Sequence, residues 1–133
     1  MEIGKALERV RAQKPLVHHI TNYVTVNDCA NITLAIGASP IMADAVEEAG
    51  DIAALSSALV LNIGTLNYRT VESMLEAGKS ANRKGIPVVL DPVGAGASKM
   101  RNDATDKILK EVKISVLRGN VSEIRYITGL AAH

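Results

Sequence analysis

The sequence contains no tryptophan and no phenylalanine, and its only aromatic side chains are Tyr23, Tyr68 and Tyr126. That scarcity excludes a base-stacking platform for single-stranded nucleic acid. It also requires an aliphatic core of Ile, Val, Leu, Ala and Met. Cysteine is nearly absent as well: Cys29 stands alone. One cysteine excludes an internal disulfide framework and a multi-cysteine zinc site, and it fits a reducing compartment. Neither charge sign dominates, since 15 Lys and Arg face 14 Asp and Glu for a net charge of +1. A broad basic footprint for a phosphate backbone is therefore missing. No apolar run approaches the roughly 20 residues of a membrane helix. The N-terminal MEIGKALERVRAQK is charged and amphipathic, without the apolar centre of a signal peptide. The expectation is a cytoplasmic protein that engages neither nucleic acid nor membrane.

What remains is ordinary globular material, 133 residues of which 47% are hydrophobic, enough for one domain with a real core. Ile3, Leu7 and Val10 predict a helix over 2–13, ended by Pro15. PLVHHI reads as a strand. Helix 25–36 follows, with Gly37 closing it. SPIM is a candidate strand and 44–56 a helix. ALVLNI (58–63) and IPVVLDP read as buried strands from their continuous apolar character. Between them, Val71, Met74, Leu75 and Gly78 stripe a helix over 68–84 that Gly85 closes. Ile108, Leu109 and Val112 mark a helix over 103–112, ISVLRGN a last strand and 121–128 a last helix. Strands alternating with helices predict an α/β fold around a parallel sheet with right-handed crossovers. The sequence stops at GLAAH, where a helix finishes and another strand would follow. A complete small domain and an absent second half both fit that pattern.

Ligands of an open parallel sheet bind beyond the carboxyl ends of its strands. Polar residues collect at five such ends: Thr21 and Asn22; Met42 to Asp44; Gly64 and Thr65; Asp91 to Ser98; and Arg118 to Asn120, with Glu123 one turn on. DPVGAGAS is the best phosphate-loop candidate, because glycines allow a tight turn whose amides can cradle an anion; a flexible βα turn is the plain alternative. It is not a dinucleotide fingerprint, since Lys99 stands where the third glycine belongs, and no GxxxxGK[ST] loop occurs. Asp91 is either a magnesium- or phosphate-site carboxylate or a cap for the next turn. Asn120 and Glu123 have the spacing of a capping box, and a functional role remains open beside it. Arg118, ending a buried strand, calls for a carboxylate or a phosphate. His18 and His19 point to opposite faces, one expected to pack and one to line the site. Asn22 and Asn27 suit either a ligand hydroxyl or the start of helix 25–36. Cys29 is expected to pack.

Taken together, VHHITNYVTVNDCAN, AIGASPIMAD, LVLNIGTL, GIPVVLDPVGAGAS and VLRGNVSEI resemble the hydroxyethylthiazole kinase family, in order from about Pro15 to Gly129. The resemblance implies a ribokinase-like fold, a mostly parallel sheet flanked by helices on both sides. It implies transfer of the ATP γ-phosphate to the hydroxyl of 4-methyl-5-(2-hydroxyethyl)thiazole in thiamine salvage, with Mg2+. It further implies a trimer with active sites at subunit boundaries. By the same resemblance Met42 contacts the thiazole, Asn22 faces its alcohol, Arg118 contacts ATP, and Asp91 and Glu123 lie near magnesium and phosphates. His19 stands where many members carry Asn. Members of the family are longer, and their second half bears a GTGC-type motif. That motif supplies an anion hole and the proposed catalytic cysteine. No Gly-Thr-Gly occurs here and Cys29 lies in a different segment. The expectation is thus that residues 1–133 are the N-terminal part of one kinase-like domain, apparently truncated, with no catalytic residue assigned. Two functions follow: a kinase, or a non-catalytic thiazole-binding or assembly fragment.

Overall fold

A computed structural model describes residues 1–129. Helices and strands alternate along the chain: α1 (Ile3–Gln13), β1 (Leu16–Ile20), α2 (Val26–Ala35), β2 (Ser39–Ile41), α3 (Val46–Leu55), β3 (Ala58–Asn62), α4 (Tyr68–Lys84), β4 (Val88–Asp91), α5 (Lys99–Glu111), β5 (Val116–Leu117) and α6 (Val121–Thr128). The strands form one five-stranded sheet in the order β2-β1-β3-β4-β5. Every adjacent pair is parallel. The α/β expectation is met.

Local chemistry sets the boundaries. Pro15 bars continuation of α1, whose C-cap Lys14 takes a left-handed conformation at φ 48°. Gly85 closes α4 at φ 70°, a conformation that disfavours any residue with a Cβ. Two expectations need adjustment. Helix α5 begins at Lys99 rather than 103, because Ser98 accepts from the Arg101 N–H and caps it. The last strand is only two residues long. Its pairing is extended by Ser115 and Arg118, whose N–H groups donate to Val88 and Leu90 carbonyls.

The core lies between the sheet and helices α3, α4 and α5. Ile20, Leu59, Leu61, Val88 and Leu90 from the sheet meet Ala49, Ala53, Met74, Ala77, Ala81 and Ile108. Small residues let the helices approach closely. Ser73 Oγ donates to the Asp44 carbonyl and Ser80 Oγ to the Gly50 carbonyl, each at 2.6 Å. At Gly78 the approach is tightest: a Cβ there would lie 2.6 and 2.7 Å from the two Cγ atoms of Val112. The predicted two-sided burial of the central strands is not what the structure shows. Burial along β3 and β4 alternates, and Val60 and Val89 on the second face are half-buried.

His18 and His19 do face opposite sides, and both are buried. His18 Nε2 donates to the Ala43 carbonyl at 2.7 Å. His19 Nε2 donates to Thr33 Oγ1 at 3.2 Å, while the Thr33 hydroxyl donates to the Cys29 carbonyl at 2.7 Å. Each ring commits Nε2 to the scaffold and leaves Nδ1 buried without a partner. Burial is the main force holding both below the ordinary imidazole value of 6.5; the Ala43 bond and Glu48 oppose it at His18, and His18 itself adds to it at His19. The neutral rings are therefore the native form. In the unfolded chain they take up protons once pH falls below about 6.5, before the folded protein does. Their contribution to stability is complete above that value and is lost as pH drops through the depressed folded values. Denaturant midpoints at pH 7.5 and pH 5.5 check this: the midpoint is expected to fall at pH 5.5, and to fall less in His19→Asn.

Candidate active site

The sheet order reverses between β1 and β3: the chain leaves β1 toward β2, then returns across it to β3. A crevice opens at the carboxyl ends of two such strands. Asn22, just beyond β1, donates from Nδ2 to Asn62 Oδ1 at the end of β3, at 3.2 Å. Asn22 Oδ1 accepts from the N–H and hydroxyl of Thr25, which opens α2. Asn62 Oδ1 also accepts from the Gly64 N–H at 2.8 Å. Asn22 is therefore both a turn-former and a resident of the crevice, which leaves one Nδ2 proton for a ligand. Met42, half-buried beyond the edge strand β2, occupies the neighbouring strand end.

The loop after β4 turns its amides mostly on itself. Gly94 and Gly96 take φ of 77° and 95°. The amides of Val93, Ala95 and Ala97 donate to the Asp91, Pro92 and Gly94 carbonyls, and that of Gly96 to Asn102 Oδ1 at 2.7 Å. Among the described residues, only Gly94 of these five amides has no acceptor.

Beside this loop lie three of the expected residues. Arg118 Nη1 donates to Asp91 Oδ2 at 2.6 Å, with the Asp91 side chain 13% exposed and that of Arg118 77%. Burial pushes the Asp91 carboxyl above its usual range; Arg118 opposes the shift and the Glu123 charge adds to it. Asn120 and Glu123 form a complete capping box on α6. The Asn120 side chain accepts from the Glu123 N–H at 2.9 Å, and Glu123 Oε1 accepts from the Asn120 N–H at 3.1 Å. The capping reading is thus correct, and it accounts for only half of the carboxylate. Glu123 is 6% exposed and its Oε2 has no partner. A buried oxygen left without a donor is costly, on the order of 1–3 kcal/mol, and asks for a function. Asp91, Arg118 and Glu123 together line a hollow of about 380 Å³. Its neighbour, about 740 Å³, is bounded by the glycine loop, Glu123 and Tyr126.

The structure thus gathers Asp91, Arg118 and Glu123 into one cluster, while Asn22 and Met42 lie along the same edge of the sheet. Asn62 was not singled out from sequence, and its only signal was a lone amide ending an apolar strand. Among the described residues no three His, Cys, Asp or Glu side chains form a metal cage. Two carboxylates with one orphaned oxygen instead suit a hard cation that keeps water and phosphate oxygens in most of its shell.

The profile of the Hydroxyethylthiazole kinase family matches residues 7–133. The chain belongs to this family. The hydroxyethylthiazole kinase of Ruminiclostridium cellulolyticum is 68% identical over 128 residues, covering 96% of this chain and 47% of that protein. That of Clostridium beijerinckii is 68% identical over 132 residues, covering 99% and 48%. A solved hydroxyethylthiazole kinase structure from Pyrococcus horikoshii OT3 superposes with a TM-score of 0.90 at 50% identity, covering 94% of this chain and 49% of that one. The chain spans about half the length of the curated relatives it matches.

Proposed function

We propose that this chain provides the substrate-binding and cation-binding edge of a hydroxyethylthiazole kinase, transferring the ATP γ-phosphate to the thiazole alcohol in thiamine salvage. The observation that carries this reading is the Glu123 oxygen, buried without a partner beside Asp91 and Arg118 in a chain of this family. Magnesium, when bound, would screen phosphate charge and orient the transferring group. Asp91 and Glu123 are the residues that would hold it. Arg118, exposed and already paired with a carboxylate, can turn its fork to ATP phosphate. Met42 offers a soft wall to the thiazole ring and Asn22 its remaining amide proton to the alcohol. No catalytic nucleophile or base is assigned among these residues. Exposed Val24, Ile32 and Leu34 on and beside α2 support self-assembly, a homotrimer by the family pattern, in a cytoplasmic setting.

The test is magnesium-dependent formation of thiazole phosphate by this chain from ATP and hydroxyethylthiazole. Product at rates of about 1 per second or faster supports the kinase reading. Absence of product, with thiazole binding detectable by calorimetry, favours the second reading, a binding or assembly fragment. The chain spans about half the length of its curated relatives, and that is the observation behind that alternative. In either case Met42→Ala is expected to weaken thiazole binding about tenfold, the loss of a partly buried methionine contact. Unchanged binding would remove Met42 from the pocket.

A further inference from the structure

Arg101 has an unusual set of partners. It lies in the first turn of α5, yet it forms no ion pair among the described residues. Its guanidinium is instead divided among three main-chain carbonyls. Nη1 donates to Ile63 O at 2.8 Å and to Val93 O at 2.7 Å, and Nη2 donates to Gly64 O at 3.1 Å. Ile63 and Gly64 follow β3; Val93 follows β4. One planar fork thus bridges the loops beyond two adjacent strands, a geometry that lysine cannot reproduce. The stem of the side chain passes close to Gly94, where a Cβ would lie 2.7 Å from Arg101 Cδ.

In a trans peptide the carbonyl of one residue and the N–H of the next point in opposite directions. Gripping the Gly64 and Val93 carbonyls therefore turns the Thr65 and Gly94 amides away from the guanidinium. These two amides have no acceptor among the described residues, as is also true of Leu66 and Asn67 further along the loop, whereas Gly64, Val93, Ala95, Gly96 and Ala97 are engaged. Two of the three peptides that Arg101 holds thus present an unsatisfied donor, the third being turned to Asn62 Oδ1, and both donors sit at the strand ends where Asp91 and Asn62 sit.

We infer that Arg101 is the positioning residue of this edge: it fixes the loops after β3 and β4 so that the Thr65 and Gly94 amides stand as preorganised donors to a phosphate oxygen. This deepens the phosphotransferase reading and rests on it for the identity of the anion. The amides would touch the phosphate; Arg101 acts through them, three of its five N–H donors being committed to carbonyls. Preorganisation of this kind avoids reorienting dipoles when the anion arrives.

The test uses the full chain, uniformly ¹⁵N-labelled, titrated with inorganic phosphate while amide resonances are followed. In the unsubstituted protein the Thr65 and Gly94 resonances are expected to move together in a saturable manner, with core amides such as Leu59 still. Arg101→Ala is expected to weaken that response at least tenfold. Arg101→Lys, which keeps the charge but cannot span both loops, should resemble Arg101→Ala. It carries the test alone if Arg101→Ala fails to fold. A purely structural role predicts lower stability in both variants with the phosphate response of the folded fraction unchanged, and that result would overturn the inference. So would an unsubstituted protein whose Thr65 and Gly94 amides ignore phosphate. Transfer to the thiazole alcohol is scored separately, so a failed titration beside intact transfer sinks this inference and leaves the kinase reading standing.

Discussion

Glu123→Gln is expected to leave α6 folded and to weaken the magnesium response of the protein by at least 10- to 100-fold, a range set by what lesser perturbations of metal shells cost. The two carboxylate oxygens have separate duties, and the substitution separates them. Oε1 caps the helix by accepting the Asn120 N–H. Glutamine keeps an oxygen at that place and is an accepted third residue of the capping box. Oε2 is the buried oxygen without a partner, and glutamine replaces it with an amide that cannot receive a cation. The melting temperature should therefore stay within a few degrees of the parent while the magnesium requirement rises. Glu123→Ala is the contrasting control, since it also removes the cap and should lower stability by about 1 kcal/mol. The measurement is transfer, or nucleotide binding where transfer is not detected, as a function of magnesium concentration. An unaltered magnesium response in folded Glu123→Gln would remove Glu123 from the cation site.

Gly78→Val should cost at least about 2 kcal/mol of stability, the scale of overpacking a well-filled core, and more once its poorer helix propensity than alanine is included. At this position both Cγ atoms of Val112 stand within 2.7 Å of where a Cβ would be. Rotation of Val112 about χ1 does not clear both, so relief requires moving α4 away from the chain that leaves α5. Gly78→Ala should be milder, because the helix gains about 1 kcal/mol from replacing glycine. The decisive comparison is a double-mutant cycle with Val112→Ala. The pair Gly78→Ala and Val112→Ala should be more stable than the sum of the single changes by about 1 kcal/mol or more. Additive midpoints in urea would show that the contact yields more easily than its geometry implies.

The Gly78 contact and the Glu123 oxygen differ in how far they could be read from sequence. Gly78 is visible as a glycine within the Val71, Met74, Leu75 stripe, which marks close helix packing but not its partner. The apolar runs at 58–63 and 86–90 revealed the central strands because aliphatic residues must leave water wherever they fall in the fold. They did not reveal that only one face is fully covered, because a run of valine and leucine reads the same over one covered face or two. The start of α5 was missed since KMRND carries no apolar stripe, and its capping serine is indistinguishable from a loop serine without coordinates. The convergence of Asp91, Arg118 and Glu123 was legible as polar residues ending apolar strands. The grip of Arg101 on Ile63, Gly64 and Val93 was not, because carbonyl acceptors belong to every residue and leave no mark in the sequence. The capping box at Asn120 was legible in full, and its very completeness concealed the second oxygen.

The placement of β1 between β2 and β3 also governs how the chain reaches this structure. Val17 pairs with Ala58, so the central joint of the sheet forms only after β2, α3 and the connections between them have been looped out. The entropy of closing that loop is lost before any ladder contact repays it. Helices α3 and α4, neighbours in sequence, can associate earlier and present one apolar surface on which the strands assemble. Refolding is therefore expected to be limited by capture of β1 beside β3. Substitutions in that joint should slow folding, whereas changes at the β5 edge should chiefly speed unfolding.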